Sequence, residues 1–596
     1  MMEVREQRDE LLRRLPVLRV AIVTALVAIG SCYWFVQVVR GTYYREMAEN
    51  NRLRKAAIKA PRGLIHDREG RLLVDNVPSY GLFLDRSRTS DLGRSVGFAA
   101  GILQRDREEL LETLDRYRSA SWFTPVLLAE NLSLSEVAKF SVRALESPEF
   151  EIQVDHLRLY RQGALTAHVL GYLGEVTDND VRDSSGRLQV GDLVGRRGVE
   201  KSFDETLRGI DGERVVVVDS RGRPREEHGR QTADAGHDRR LTLDLEMQQI
   251  AARYFQDRVG AAIALDPRNG EILVLVSSPS YDPNLFARRL AQAEWRRIVE
   301  APHNPLQNRV VQSHYSPGSI FKIVLAVAGL TEKEISPDDT VYCNGSTRIY
   351  NRRFRCWQSR GHGRVNLREA IRRSCDIYFY YLGQKLGIER IAQYSRLFGL
   401  GARTGIDFEG ERSGLVPDRQ WSERVRKGPW YPGETISVAI GQGPLLVTPL
   451  QVASLMATVA NGGHRVQPHL ALGNEKPPPP VPGIDPHALD IVREALWAVV
   501  NDKGTGAAAR VEGFPVAGKT GTVQVIEQKT WIDSKDLPFE QRDHAWFASY
   551  GPTDTPELVV VVFVEHGGKG SEEAAPLARQ LYERYYRTRF DARSAS

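Results

Sequence analysis

The sequence lacks the features that identify several large functional classes. Its formal net charge is only +5 over 596 residues, whereas nucleic-acid-binding domains have a larger and clustered basic surface. No GxGxxG follows a predicted strand, so the dinucleotide fingerprint is missing. HExxH, the zinc motif of many metalloproteases, is also missing. We therefore expect no nucleic-acid partner, no organic cofactor and no catalytic zinc.

One hydrophobic run is long enough to cross a membrane. Val20–Val39 contains no charged residue, and a bilayer core needs roughly 20 apolar residues in a helix. The arginines before this run are Arg5, Arg8, Arg13, Arg14 and Arg19. By the positive-inside rule, the N-terminus is cytoplasmic and the chain after Arg40 lies outside. A cleaved signal sequence would have a shorter apolar run, and this run continues past Cys32, so we expect a single uncleaved anchor.

The length and the changes in pattern along the chain predict several domains. A chain of 596 residues is too long for one hydrophobic core. We expect a cytoplasmic segment at 1–19, an anchor at 20–39, an extended α+β pedestal at 40–239, a catalytic domain at 240–590 and a tail at 591–596.

The catalytic segment has strand patterns at both ends and helical patterns between them. The strand patterns are Ala261–Leu265, Glu271–Val276, Ala545–Tyr550 and Leu558–Val564. The main helical patterns cover 322–332, 366–387 and 449–460. This order predicts an α+β fold with a central antiparallel sheet, flanking helices and a helical subdomain.

The first candidate catalytic motif is the segment Tyr315–Lys322, which reads YSPGSIFK. Its Pro-Gly pair predicts a turn, and the helical composition that follows places Ser319 at a helix N-terminus. Residues three apart share a helix face, so Lys322 can reach the Ser319 hydroxyl. A serine needs a base to become a nucleophile, and a lysine can be that base only if its pKa is lowered. Alone, S-x-x-K is a weak motif.

Two further motifs follow in the same segment. Ser374–Asp376 reads SCD at the start of a predicted helix, and Lys519–Thr522 reads KTGT before strand-forming residues. A lysine on a strand edge can hold a substrate carboxylate, and the strand backbone can donate to an oxyanion. In this order, the three motifs match the S-x-x-K, S-D-N and K-T-G set of penicillin-binding proteins and β-lactamases.

Nearly the whole chain resembles the class B penicillin-binding proteins, most closely their elongation-type branch. The second motif ends in aspartate rather than asparagine, which fits that branch better than the division branch. Further segments share the resemblance: Ala60–Gly70, Gly198–Phe203, Arg221–Arg223 and Gly236–Asp238 in the pedestal, and Ser278–Pro283, Gly441–Gly443 and Thr448–Gln451 in the transpeptidase domain.

The resemblance implies a peptidoglycan D,D-transpeptidase that cross-links stem peptides during cell elongation and maintains rod shape. Ser319 would attack the D-Ala-D-Ala carbonyl with Lys322 as general base, and an amine on a neighbouring stem would accept the acyl group. Ser374 and Asp376 would form a proton-relay wall, and Lys519 would hold the terminal carboxylate. The implied substrate-binding residues are Thr520, Gly521 and Thr522, with the backbone N–H groups of Ser319 and Thr522 as oxyanion hole.

The same resemblance implies partners and a location. β-Lactams would be covalent inhibitors, and a polytopic glycan polymerase of the shape, elongation, division and sporulation family would be a partner, with other elongation-machinery proteins. The catalytic domain would face the periplasm from the bacterial inner membrane. A D,D-carboxypeptidase or a β-lactamase on the same scaffold stays open, although the pedestal and the anchor disfavour it. A non-catalytic sensor or scaffold is disfavoured by the intact motifs.

Cysteine is scarce, and its placement is informative. Of four cysteines, Cys32 lies in the apolar run. The other three cluster with one histidine, as Cys343, Cys356, His362 and Cys375. Three thiols and an imidazole make a closed, structural zinc set, and some elongation-type members are similar, with a metal site built partly from aspartates. A Cys343–Cys356 disulfide or three unrelated buried thiols remain as alternatives.

Overall fold

The computed structural model describes residues 2–44, 53–118, 122, 125–184, 187–189, 191–218, 224–288, 290, 292–473, 477–526 and 534–595. Arg221–Arg223, which share the pedestal resemblance, lie outside these described residues. The chain forms two compact units. The first comprises 1–61, 80–155 and 209–236, and the second comprises 62–79, 156–208 and 237–596.

The strands are β1 (Leu53–Ile58), β2 (Ile65–His66), β3 (Leu72–Leu84), β4 (Val126–Ala129), β5 (Phe150–Tyr160), β6 (Leu173–Glu175), β7 (Leu193–Gly195), β8 (Gly212–Val218), β9 (Pro224–Gln231), β10 (Arg239–Arg240), β11 (Gly260–Leu265), β12 (Ile272–Ser278), β13 (Val341–Cys343), β14 (Ser346–Ile349), β15 (Arg352–Arg355), β16 (Gly363–Val365), β17 (Ala517–Val523), β18 (His544–Gly551) and β19 (Leu558–Val564).

The helices are α1 (Met2–Trp34), α2 (Leu92–Leu103), α3 (Arg107–Arg116), α4 (Leu134–Val142), α5 (Ala167–Leu170), α6 (Asp178–Asp183), α7 (Gly198–Ser202), α8 (Asp204–Arg208), α9 (Leu245–Tyr254), α10 (Gln292–Val299), α11 (Arg309–Gln312), α12 (Lys322–Thr331), α13 (Leu367–Arg372), α14 (Asp376–Leu397), α15 (Arg419–Trp421), α16 (Pro432–Val438), α17 (Pro449–Ala460), α18 (Pro486–Asn501), α19 (Gly570–Glu573) and α20 (Ala575–Ala595).

The first unit contains the long N-terminal helix and a small sheet. Within α1 and the π-helical turn after it, Leu15–Val39 has a mean hydropathy of 2.1 over an 18-residue window and none of that window buried, which makes it a candidate membrane span. Strands β1, β8 and β9 form an antiparallel sheet. Helices α2 to α4 share a core with the end of β3, built on Leu82, Val96, Leu110 and Phe140.

The second unit is built around a five-stranded antiparallel sheet in the order β12-β11-β19-β18-β17. The predicted sheet, with strands from both ends of the segment, is thereby confirmed. Every residue of β11 and β19 is buried, because the two faces of the sheet join different cores. Ile263 and Val561 belong to one core, and their neighbours Ala262 and Val560 belong to the other. Strand β17, which carries the third motif, is an edge strand.

The helix predicted over 366–387 is wrong in one respect. It is broken between α13 and α14, where Ser374 has φ of +56°. Left-handed backbone is uncommon for a residue with a side chain and cannot continue a helix. The break lies within the second motif. It directs Ser374 and Asp376 toward Lys322 at the start of α12.

Candidate active site

The nucleophile candidate Ser319 lies on a tightly held 3₁₀ turn, Gly318–Phe321, which leads into α12. The N–H of Gly318 donates to the carbonyl of Gly441 at 2.9 Å. A Cβ on Gly441 would lie 2.1 Å from the Gly318 oxygen, and a Cβ on Gly318 would lie 2.9 Å from a methyl of Val523. The turn is thus fixed between the Gly441 loop and strand β17, and only glycine fits at either position.

A partly buried carboxylate also anchors the segment that leads into this turn. The Tyr315 hydroxyl donates to Glu565 at 2.5 Å, and the Arg309 guanidinium donates to the same carboxylate oxygen at 2.8 Å. The Tyr315 ring lies against Phe563, with centroids 3.9 Å apart. Sequence reasoning missed Glu565, since it lies far along the chain and no short motif contains it.

Lys322 is fully buried, and its amine faces the second motif. The Nζ atom donates to the Ser374 carbonyl at 3.0 Å, to the Ser374 hydroxyl at 3.2 Å and to Asp376 Oδ1 at 2.7 Å. Within the described part of the chain, no hydrogen bond joins Lys322 to the Ser319 hydroxyl. The structure therefore brings the first and second motifs together, while the Ser319–Lys322 hydrogen bond stays a prediction.

Trp357, which belongs to none of the three motifs, also binds Asp376 and the Ser374 carbonyl. Asp376 Oδ2 accepts the backbone N–H of Trp357 at 2.9 Å, and the Trp357 indole donates to the Ser374 carbonyl at 3.1 Å. Burial raises the pKa of Asp376, and the charge of Lys322 opposes that shift. Trp357 directly follows Cys356. Its position next to a predicted metal ligand is the one feature of the sequence that could have pointed to its role.

The third motif lies on β17, and its lysine is buried without a carboxylate partner among the described residues. Lys519 Nζ donates to the Thr520 carbonyl at 3.0 Å. Burial, and then the charge of Lys322, lower the pKa of Lys519 well below its ordinary value. The Thr520 hydroxyl contacts the Thr505 hydroxyl at 2.7 Å, a contact that the sequence did not predict.

The strand approaches the nucleophile turn closely at its glycine. A Cβ on Gly521 would lie 3.0 Å from Trp546 Cβ and 3.2 Å from the Pro317 carbonyl. The next residue, Thr522, is exposed. The backbone of this strand edge can therefore face the reaction that Ser319 would perform, as an oxyanion donor requires.

The strand also resolves an ambiguity in the sequence. Gly513–Thr520 reads GFPVAGKT, which satisfies the letters of GxxxxGK[ST]. A phosphate-binding loop needs those residues in a turn that opens a helix. Here Ala517–Val523 is an antiparallel strand, buried except at Thr522, so the match has no phosphate-binding geometry.

The three cysteines and the histidine come together next to Ser374. All four side chains are buried, and their candidate ligand atoms lie within 4.8 Å of one another. The distances from His362 Nδ1 to the sulfurs of Cys343 and Cys356 are 3.6 and 3.5 Å. In a tetrahedral zinc site, Zn–S bonds near 2.3 Å and Zn–N bonds near 2.0 Å separate a sulfur ligand from a nitrogen ligand by about 3.6 Å. The observed sulfur–nitrogen distances agree with this value, so the cluster fits a zinc ion.

The thiols of the cluster differ in acidity. The cysteines are free, and hydrogen bonds from Cys375 and His362 lower the pKa of the Cys356 thiol, whereas the hydrogen bond with Cys356 and burial raise the pKa of the Cys375 thiol. Burial raises the pKa of the Cys343 thiol. A thiolate is the form that binds zinc, and here the fold already favours one of them.

Comparison with protein families defines the class of the protein. Residues 260–583 match the penicillin binding protein transpeptidase domain, and residues 57–241 match the penicillin-binding protein dimerisation domain. The chain therefore belongs to the class B penicillin-binding proteins.

Individual relatives show that the chain belongs to the elongation-type branch, the penicillin-binding protein 2 group. The chain is 34% identical over 578 residues to the peptidoglycan D,D-transpeptidase MrdA of Haemophilus influenzae, covering 93% of this chain and 88% of the relative. It is similar to penicillin-binding protein 2 in its complex with MreC from Helicobacter pylori, with a TM-score of 0.79 and 28% identity. The match covers 90% of this chain and 99% of the Helicobacter pylori chain. It also resembles a chain of a peptidoglycan synthase complex, with a TM-score of 0.69 and 32% identity. That match covers 96% of this chain and 97% of the other chain.

Proposed function

We propose that the chain is a peptidoglycan D,D-transpeptidase that acts through an acyl-enzyme on Ser319 during cell elongation. The observation that carries the proposal is the convergence of the three motifs. The amine of Lys322 bonds Ser374 and Asp376, while the turn of Ser319 packs against β17 next to Gly521. Membership in a family whose relatives are named D,D-transpeptidases supports the same reaction.

The proposed acylation assigns a role to each part of the site. Lys322, when neutral, accepts the hydroxyl proton as Ser319 Oγ bonds to the carbonyl carbon of the penultimate D-alanine. Backbone N–H groups of Ser319 and Thr522 stabilise the resulting oxyanion. The proton then passes to the leaving nitrogen through the Ser374 side of the site, and the terminal D-alanine departs.

The remaining residues position the substrate. Lys519 and the hydroxyl of Thr520 bind the terminal carboxylate, because a buried ammonium next to a hydroxyl is a strong carboxylate donor set. An amine from a neighbouring stem peptide attacks the ester, which restores Ser319. The small size of Gly521 lets the strand backbone lie next to that ester.

The surrounding parts of the chain have proposed roles as well. Leu15–Val39 anchors the protein in the inner membrane, with the N-terminus cytoplasmic and the pedestal (40–239) and catalytic domain (240–590) in the periplasm. A polytopic glycan polymerase is the proposed partner, and the similarity to a chain of a peptidoglycan synthase complex supports it. An MreC-type protein is a second partner by similarity to the Helicobacter pylori complex.

The decisive test is intact mass after incubation with a β-lactam, for the wild type and for Ser319→Ala. We expect a stable adduct on the wild type only. Rapid return to the unmodified mass would favour a β-lactamase. In a parallel incubation with a stem peptide that ends in D-Ala-D-Ala, release of D-alanine without cross-linked product would favour a carboxypeptidase. An adduct on Ser319→Ala would refute the assignment of the nucleophile.

We further propose that Cys343, Cys356, His362 and Cys375 hold a structural zinc. The metal would tie the loop that contains Trp357 to the wall formed by Ser374 and Asp376. Its site is closed by four protein ligands, so its contribution is to stability. Metal analysis should find one zinc per chain, and His362→Ala should lower metal content, thermal midpoint and acylation rate together. A metal-free wild type that acylates normally would contradict this proposal.

A further inference from the structure

A strongly basic surface lies next to the candidate active site. Between Thr340 and Leu367 the chain has six arginines and no aspartate or glutamate, whereas the whole chain has 81 basic and 76 acidic residues. Soluble surfaces usually intersperse both signs. All six arginines are exposed, namely Arg348, Arg352, Arg353, Arg355, Arg360 and Arg364. This local excess of one sign calls for a physical explanation.

The hairpin β14–β15 collects three of these arginines on one side. In its register Arg348 lies opposite Arg353, and Ser346 lies opposite Arg355. Opposite residues share a face of an antiparallel pair, and so do residues two apart. Arg348, Arg353 and Arg355 therefore form one surface, which we call the basic face.

The opposite face of the hairpin is bound to the protein. Ile349 is buried, and the ring of Phe354 lies 5.4 Å from that of Tyr380 on α14. The Tyr380 hydroxyl donates to the Arg355 carbonyl at 3.0 Å. These contacts fix the orientation of the hairpin, so the basic face is directed away from the core.

The basic face carries a charge that the described residues do not balance. Like charges directly opposite on a strand pair are destabilising. No ion pair to a carboxylate is formed by Arg348, Arg353 or Arg355 within the described ranges, and the Arg353 guanidinium donates only to the Ser346 hydroxyl, at 3.0 and 3.2 Å. An anionic ligand would relieve this repulsion, and guanidinium groups bind carboxylates in a bidentate manner.

The basic face lies two residues along the chain from a contact with the wall formed by Ser374 and Asp376. Arg355 is followed by Cys356 and then by Trp357, whose N–H binds Asp376. We propose that the basic face is a subsite for the free carboxylates of acidic stem peptides next to the reacting centre. This inference rests on the proposed transpeptidase function and extends it to substrate recognition.

The test measures binding, so that it does not depend on turnover. The probe is a fluorescent synthetic stem peptide that ends in D-Ala-D-Ala and carries its other carboxyls free, compared with the same peptide in which those carboxyls are amides. On full-length protein in detergent, we expect the wild type to bind the acidic peptide about tenfold more tightly, as roughly three partly exposed ion pairs allow. Raising the salt concentration should reduce that ratio.

The test variant is Arg348→Gln/Arg353→Gln/Arg355→Gln, and its matched control is Arg297→Gln/Arg403→Gln/Arg510→Gln. The control removes the same charge from exposed arginines elsewhere in the second unit. We expect the acidic-to-amide ratio to fall to about one in the test variant only. An unchanged ratio overturns the subsite, as does a loss of binding to anionic phospholipid vesicles with the peptide ratio unchanged. Failure of the transpeptidase itself is read separately, from the β-lactam adduct.

Discussion

Lys322 and Lys519 are both fully buried, but the chain surrounds them differently. Lys322 donates to a carboxylate, a hydroxyl and a carbonyl, so its charge is compensated before substrate arrives. Lys519 donates to one carbonyl among the described residues, and burial lowers its pKa. An ammonium has three donors. The difference indicates that the α12–α14 side of the site is pre-assembled, whereas the β17 side would be completed by the proposed substrate carboxylate.

The same substitution at the two lysines should have different effects on stability. Lys322→Met leaves Asp376 as a buried, unpaired charge, which typically costs about 3–5 kcal/mol, so we expect a lower thermal midpoint. Lys519→Met removes a poorly compensated buried charge, so its midpoint should be unchanged or higher. Calorimetry of the full chain measures both. A fall of equal size in the two variants would remove the distinction between the two sides.

The two variants should differ in reactivity as well. Loss of a general base lowers rates by about 10²–10⁴-fold, so Lys322→Met should acylate very slowly at any β-lactam concentration. Lys519→Met loses a charge-assisted contact to the ligand, so most of its defect should be overcome by raising the β-lactam concentration. Stopped-flow acylation with a chromogenic cephalosporin separates the two. Saturation recovery in Lys322→Met would argue against its role as base.

The pH dependence of stability provides a third contrast. Because the pKa of Lys519 is lowered in the folded state, the unfolded chain binds more protons below the ordinary lysine value of about 10.4. Stability therefore rises with pH across the window from the lowered pKa up to that value. The advantage of Lys519→Met over the wild type should be largest at low pH, below the lowered pKa of Lys519, and shrink toward pH 10. Thermal midpoints of the pair in matched buffers test this, and a constant difference would contradict it.

The smallest expected effect concerns the strained residue on the pre-assembled side. Ser374→Gly and Ser374→Ala both remove the hydroxyl that contacts Lys322, but only glycine relaxes the left-handed backbone. The glycine variant should be more stable than the alanine variant by about 1–2 kcal/mol. Both should acylate more slowly than the wild type. Equal midpoints would show that the backbone at Ser374 is not strained.

The sequence predicted those parts of the site that lie within short motifs. The strands at both ends, helix 449–460 and the three catalytic motifs could be read because each depends on neighbouring residues. The single helix expected over 366–387 was wrong, since its break at Ser374 depends on contacts with α12 rather than on local composition. The letters GFPVAGKT also show that a motif without its structural context is ambiguous.

The residues that sequence reasoning missed act across long separations. Trp357 reaches Asp376, Thr505 reaches Thr520, and Glu565 reaches Tyr315. Each contact joins side chains that the fold brings together, and no periodicity or spacing encodes it. The cluster of three cysteines and His362 was easier to predict, because cysteine and histidine are rare enough for their clustering to be informative.

The contact between Gly318 and Gly441 has a consequence for how this site can evolve. The nucleophile turn is located by backbone against backbone, with no side chain between them that substitution could enlarge or trim. A population exposed to an acylating drug therefore has few single changes that move Ser319 slightly while preserving turnover. Adaptive variation should instead accumulate at exposed side chains around the site that the proposed mechanism does not use. Deep mutational scanning under drug selection would reveal this as intolerance at the two glycines and tolerance at those exposed side chains.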